Sequence, residues 1–300
     1  MVELNIPSPV QYIDSINNVN LYIKREDLIH SSFGGNKWRK LKYNLQEYKD
    51  KNHKTLITFG GAFSNHIAAT ASICNHYNLP SVGIIRGTYE DENNPTLNLA
   101  KENGMQLYHV PKLEYKLKND GSEIKKIISN YPSPLIVPEG GSNELAKTGV
   151  MEMINEFEEE ILFDHIIVAA GTGMTASGII EASNEKSKIW IVNVLRNESL
   201  EKTISNGLKV KKNNWEVLSS YDFGGYAKVP NELKQFANNF YEKYQIILDP
   251  IYTSKMMFAT LDMIQTNKFT EGVNILAIHT GGLQGIEGFE YVTKSNWIIK

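Results

Sequence analysis

A chain of 300 residues with 41% hydrophobic and 22% charged side chains has the make-up of an ordinary globular protein, which argues against disordered, collagenous and membrane-embedded classes. Its 31 Lys and Arg against 34 Asp and Glu leave a net charge of −3, so there is no basic excess for holding a nucleic-acid backbone. The single cysteine, Cys74, excludes an internal disulfide framework and a cysteine-cluster metal site; with no apolar leader and no apolar run of about 18 residues, the expectation is a cytoplasmic protein without membrane partners.

In chain order, short apolar runs rich in β-branched residues at 55–59, 81–85, 135–137, 165–169, 189–195 and 273–278 read as buried strands. Amphipathic spacing predicts helices over 38–49, 65–77 and 95–103. Strand alternating with helix implies parallel sheets of an α/β fold. Most runs end in a glycine-bearing turn, at Gly60-Gly61, Gly87, Gly140-Gly141, Gly171 to Gly173 and Gly281-Gly282. Those turns mark the carboxyl rim of an open sheet, where ligands bind, although glycine is also the ordinary residue of a tight turn. The acidic segment 89–95 reads as a solvated surface loop. No repeat or Pro/Ser-rich linker marks a domain boundary.

Three constellations carry chemistry. In Phe33-Gly34-Gly35-Asn36-Lys37-Trp38-Arg39-Lys40-Leu41, preceded by Lys24-Arg25-Glu26-Asp27, Lys37 follows two glycines where a loop becomes a helix, so backbone can close around it. Burial there would lower its pKa toward the nucleophilic neutral amine, whereas most lysines are solvated surface charge. In Gly60-Gly61-Ala62-Phe63-Ser64-Asn65-His66, Ser64 or Asn65 is either a helix N-cap or a donor set for a ligand carboxylate, and His66 falls early in the helix. Gly171-Thr172-Gly173-Met174-Thr175 follows a strand and opens a helix, which makes it an anion cradle. No Lys follows it as in a P-loop and the dinucleotide spacing fails, so a cofactor phosphate stands beside a nucleotide as its guest.

With Asp249-Pro250-Ile251-Tyr252-Thr253 and His279-Thr280-Gly281-Gly282, these pieces resemble, in the family's order, the pyridoxal-phosphate enzymes of the 1-aminocyclopropane-1-carboxylate (ACC) deaminase and D-cysteine desulfhydrase family. The resemblance runs from about Leu21 to Phe289. It implies the fold type II of the tryptophan synthase β subunit: a small lobe of residues 49–148 inserted into a large cofactor-binding lobe of residues 1–48 and 149–300, usually as a homodimer. By the same likeness Lys37 would carry the cofactor as a Schiff base, Asn65 would bond its ring oxygen, and Gly171, Thr172, Gly173, Met174 and Thr175 would hold its phosphate. Ser64, Asn65 and His66 resemble the substrate-carboxylate site, Ser64 is placed to assist proton transfer, and Tyr226 and Tyr252 resemble the active-site tyrosine pair.

Thr253 stands where the ACC deaminases carry a glutamate toward the pyridine nitrogen, and Thr280 also fits the desulfhydrase pattern. A neutral partner suits β-elimination better than cyclopropane opening. The expected activity is therefore loss of the Cα proton to Lys37, expulsion of the β-substituent of a small amino acid, first D-cysteine, and hydrolysis to pyruvate and ammonia. ACC deamination and a catalytically silent cofactor binder are the alternatives on this scaffold, and a nucleotide-phosphate enzyme is one outside it. Residues 281–289 and Ser254 depart from the family's pattern, so Leu283 and Gln284 either line a reshaped pocket or repack beneath the cofactor.

Overall fold

The computed structural model describes residues 4–88, 91–156 and 161–298; Tyr89 and Glu90 of the acidic loop lie outside the described residues. Ten strands are found among these: β1 (Val10–Ile16), β2 (Val19–Arg25), β3 (Thr55–Gly60), β4 (Ser81–Arg86), β5 (Gln106–Val110), β6 (Pro134–Val137), β7 (His165–Ala170), β8 (Lys188–Asn193), β9 (Trp215–Leu218) and β10 (Asn274–His279). The α-helices are α1 (Asn36–Asp50), α2 (Asn65–His76), α3 (Pro95–Glu102), α4 (Lys112–Leu117), α5 (Ser122–Ser129), α6 (Glu144–Asn155), α7 (Met174–Ala182), α8 (Leu200–Gly207), α9 (Asn231–Tyr244), α10 (Thr253–Gln265) and α11 (Gly285–Thr293).

The strands form a six-stranded sheet in the order β1-β2-β10-β7-β8-β9 and a four-stranded sheet in the order β5-β4-β3-β6. Every pairing is parallel except β1 with β2. That hairpin turns through Asn17 and Asn18, whose φ of 50° and 59° suit a two-residue turn of the primed type and whose side chains tolerate the left-handed region. The two parallel sheets expected from the sequence are present, with this antiparallel hairpin added at one edge.

Alternation along the inner strands feeds two cores. Ile167 and Ala169 of β7 join Met256, Met257 and Met263 of α10 on one face of the large sheet. Ile166, Val168 and Ala170 join Val150 and Met153 of α6 and Ile179 and Ile180 of α7 on the other. In the small sheet β3 is buried along its whole length, because α1 and α2 cover one face while α4 and α5 cover the other. The carboxyl ends of β3, β4, β6, β7 and β10 therefore open toward one cleft.

Candidate active site

That cleft is a cavity of about 490 Å³ walled by both sheets, and Lys37 looks into it from the first turn of α1. Gly35 makes the position possible. Its φ is +98°, it forms an isolated bridge with Gly281, and a Cβ there would stand 2.3 Å from the Thr280 carbonyl oxygen. Only glycine lets the start of α1 press against the turn after β10. From there Lys37 Nζ donates to Asn36 Oδ1 at 3.0 Å, and Asn36 Nδ2 donates to Thr175 Oγ1 at 3.0 Å, so one amide sets the amine relative to the turn after β7. Burial lowers the Lys37 pKa to about 8, against the opposing charge of Asp249.

The turn after β7 is built as an anion cradle. Gly173, with φ +87°, caps α7, and a side chain at Gly171 would meet Leu195 at 3.0 Å and Tyr252 at 3.2 Å. Gly171, Thr172, Gly173 and Thr175 wall the cavity; Met174 does not. Lys40, one turn beyond Lys37, is a second amine in this wall. It is 3% exposed and donates to the Gly140 carbonyl at 3.0 Å, and burial, with the Lys37 charge beside it, drives its pKa well below the ordinary value. An amine so placed, with a carbonyl for its partner, holds its proton more firmly once an anion lies beside it.

The start of α2 lines the same cavity. Ser64 is the N-cap, its Oγ accepting from Ile67 N at 3.3 Å, and the first-turn N–H groups of Asn65 and His66 have no intrahelical acceptor. The His66 ring is otherwise engaged. Thr58 Oγ1 donates to the Val137 carbonyl at 2.9 Å, so the ring must donate the 2.8 Å bond between His66 Nε2 and Thr58 Oγ1. Its Nδ1 is left bare and buried, with no partner among the described residues, and burial beside Lys37 and Lys40 holds the ring neutral. His66 thus offers a backbone N–H, not a cationic side chain.

Tyr226 and Tyr252 both reach the cavity, Tyr226 half-exposed at its mouth and Tyr252 deeper; burial raises both phenol pKa values, so both stay protonated at neutral pH. The two threonines separate. Thr280 lines the wall, while Thr253 is fully buried behind it and donates to Asp249 Oδ1 at 2.7 Å while accepting from Asp249 N at 2.6 Å. Of the two threonines it is thus Thr280 that lines the cavity, while the Thr253 hydroxyl is engaged by Asp249 at the N-terminus of α10. Leu283 and Gln284 do not reach the wall either, and Gln284 Nε2 donates to the Asn65 carbonyl at 3.4 Å.

Sequence reasoning missed Asn36 and Lys40 as site residues although both lie inside the motif that drew attention to Lys37, and missed Arg86 and Glu139, which also wall the cavity. The one available signal for the last two was their place at the carboxyl ends of β4 and β6. Among the described residues no cluster of three or more His, Cys, Asp and Glu is placed to hold a metal, and no helix is long and apolar enough to cross a membrane.

Two sheets whose carboxyl ends share a cleft, a lysine amine tuned toward neutrality and a glycine cradle for an anion define an α/β enzyme that holds a phosphorylated carbonyl cofactor. Residues 3–281 match the family described as "Pyridoxal-phosphate dependent enzyme", and the chain belongs to it. An Arabidopsis thaliana protein named bifunctional D-cysteine desulfhydrase/1-aminocyclopropane-1-carboxylate deaminase, mitochondrial, is 33% identical over 90% of this chain and 74% of its own. A Pyrococcus horikoshii protein, provisionally named 1-aminocyclopropane-1-carboxylate deaminase, is 30% identical over 93% of this chain and 90% of its own. A crystal structure described as an ACC deaminase homologue superposes with a TM-score of 0.80 at 30% identity, over 96% of this chain and 92% of that one. The cofactor is pyridoxal phosphate, and the cradle, the neutral-tending Lys37 and the buried Lys40 fit it.

Proposed function

We propose that the protein is a lyase that eliminates the β-substituent of a small amino acid, with D-cysteine as its first substrate and pyruvate, ammonia and sulfide as products. The observation that carries this reading is that Lys37, a neutral hydroxyl residue, Thr280, and the α2 N-terminus line one cavity. Lys37 would hold the aldehyde carbon of the cofactor, the α7 N-terminus with Gly171, Thr172, Gly173 and Thr175 would hold its phosphate together with Lys40, and Asn65 would bond the ring oxygen. When bound, pyridoxal phosphate supplies an electron sink for the pair left at Cα.

The rest falls to the chain's own groups. The N–H groups at Asn65 and His66 with Ser64 Oγ hold the substrate carboxylate. Lys37 Nζ, once free, takes the Cα proton, for which a pKa of about 8 is well matched to neutral pH. Tyr252 and Tyr226 keep their protons and present them to the departing group. Thr280 would give the ring nitrogen a neutral neighbour, and the weaker electron sink that the cofactor would then supply favours a good leaving group over a strained ring. ACC deamination is a second reading, favoured by the name of the Pyrococcus horikoshii relative, and the two protonated tyrosines would serve it as proton donors to carbon. In either reading the protein works as a cytoplasmic homodimer, for which the buried free thiol of Cys74 suits a reducing compartment.

The test is pyruvate release by cofactor-loaded protein offered D-cysteine, L-cysteine, D-serine and ACC in parallel. Fastest turnover of D-cysteine is expected; fastest turnover of ACC replaces the first reading with the second, and no turnover leaves a silent cofactor binder. Lys37→Ala should lose both pyruvate release and the visible absorption that persists through gel filtration.

A further inference from the structure

Arg86 ends β4 at the cavity wall and has no role in the chemistry above. Its guanidinium has no carboxylate within ion-pair distance among the described residues, and its one recorded neighbour of note is the Tyr115 ring, 5.8 Å from Cζ. The nearby acid is already taken, since Glu139 accepts from Lys118 Nζ at 2.6 Å. Gly61 lies beside it: a Cβ there would stand 3.5 Å from the terminal nitrogen, at ordinary van der Waals distance. Gly61 belongs to the loop between β3 and α2 that leads into the carboxylate-binding turn, so Arg86 adjoins the substrate end of the cleft.

The phosphate end lies on the opposite flank. β6 and β4 pair with β3 on its two sides. The turn after β6 meets the phosphate cradle, with Ser142 Oγ 3.2 Å from Thr172 Oγ1, whereas β4 carries Arg86. Across the cavity mouth Arg86 acts on Tyr226, whose phenol it pulls down against burial, so its field reaches the space between the two sheets.

We propose that Arg86 is a specificity-determining residue that binds a negative charge on the β-substituent of the substrate, so that the site selects β-substituted alanines bearing an anionic side-chain group over neutral ones. The inference rests on the amino-acid lyase reading and names the substrate class within it. The α-carboxylate, common to every amino acid, is served by the α2 N-terminus; a planar cation with five donors at the mouth reads what distinguishes one substrate from another.

The test uses an isosteric pair that differs in side-chain charge, aspartate and asparagine, each as D- and L-isomer, titrated against the holoenzyme while the visible absorption of the cofactor is followed. The expected result is tighter binding of one aspartate isomer than of the matching asparagine by about tenfold, as befits a partly solvated charge-assisted contact. Arg86→Gln should erase that preference while asparagine affinity moves less than twofold, and Arg86→Lys should restore part of it. Equal affinity in the unmodified protein, no response to either aspartate isomer, or equal weakening of both ligands in Arg86→Gln overturns the proposal; the last would assign Arg86 to the α-carboxylate. Pyruvate release from D-cysteine by the same preparation reports the elimination reading separately. Charge selection without pyruvate removes that reading and keeps Arg86, and pyruvate without charge selection does the reverse.

Discussion

Lys37 and Lys40 lie three residues apart on α1, and burial is the leading cause that weakens the hold of each on its proton. For Lys37 the consequence is measurable as pH. A folded-state pKa of about 8 means that the neutral amine, the form that captures a carbonyl, grows as pH rises toward about 8 and saturates above it. The rate at which cofactor-free protein regains its visible band should therefore climb between about pH 6 and pH 8 and level off by about pH 9. A solvated lysine would go on climbing past about pH 10, and that outcome would remove the buried-amine argument. Ser254 gives a second prediction at this scale. Its side chain is wholly buried and its Oγ has no partner among the described residues. Ser254→Ala should stabilise the protein by roughly 1 kcal/mol, because a desolvated unpaired hydroxyl is removed, and urea denaturation of the cofactor-free protein reads the shift.

Among the elements, the Lys24-Arg25-Glu26-Asp27 run that looked like part of the chemistry is support for it. Arg39 of α1 donates from Nε to Glu26 Oε2 at 2.9 Å and from Nη2 to Glu156 Oε2 at 2.8 Å, and Lys24 of β2 donates to Glu156 at 3.2 Å. This buried network ties the end of β2 and the end of α6 to the helix that carries Lys37. Arg39→Met would strand Glu26, which is fully buried, and should cost about 3–5 kcal/mol in urea unfolding. A loss under 1 kcal/mol would mean that water reaches the site. Lys255 of α10 plays a comparable part near Tyr226: its Nζ donates to the carbonyls of Val194, Asp222 and Gly225 at 3.2, 2.7 and 2.7 Å. Three acceptors match the three donors of an ammonium, so Lys255→Met should release the loop bearing Tyr226 and raise KM more than it lowers kcat. The elements legible in the sequence are those buried on both faces, such as β3 and β7, where an unbroken apolar run leaves no other reading. β1, β5 and β9 escaped because they are edge strands with polar residues along them, and β2 because Asn20 and Lys24 interrupt its apolar run. The place of Lys37 and of the glycine turn after β7 on the cavity wall was legible because local glycines and a strand-to-helix junction define them. Arg86 and Glu139 depend on which strand ends meet, and no local pattern encodes that; Thr253 is held by Asp249, only four residues back.

At the scale of the whole molecule the question is where one lobe ends and the other begins. The sequence reading places the boundary near residue 49, which leaves α1 with the large sheet. Its side chains pack the other way: Trp38, Leu41, Leu45 and Tyr48 share a core with Leu56 of β3, Leu135 and Val137 of β6, and Ile73 and Cys74 of α2. By contrast α6, which the far boundary at 148/149 cuts through, sends Val150, Met153 and Ile154 into the core of the large sheet. The two helices meet so closely that a Cβ at Gly149 would stand 2.0 Å from the Arg39 carbonyl oxygen. We propose that the small lobe begins at α1 and that the α1–α6 contact is the seam between lobes. Lys37 then sits at the seam's edge, anchored to the large lobe through the Gly35–Gly281 bridge and the Asn36–Thr175 hydrogen bond while its helix rides on the small sheet. Native-state hydrogen exchange in low denaturant distinguishes the two boundaries, because amides that open together belong to one cooperative unit. The amides of residues 41–48 should open with those of β3 and α2 and apart from those of β7 and β8. Opening in step with β7 would return α1 to the large lobe and take Lys37 off the seam, since the amine and the phosphate cradle would then move as one rigid body.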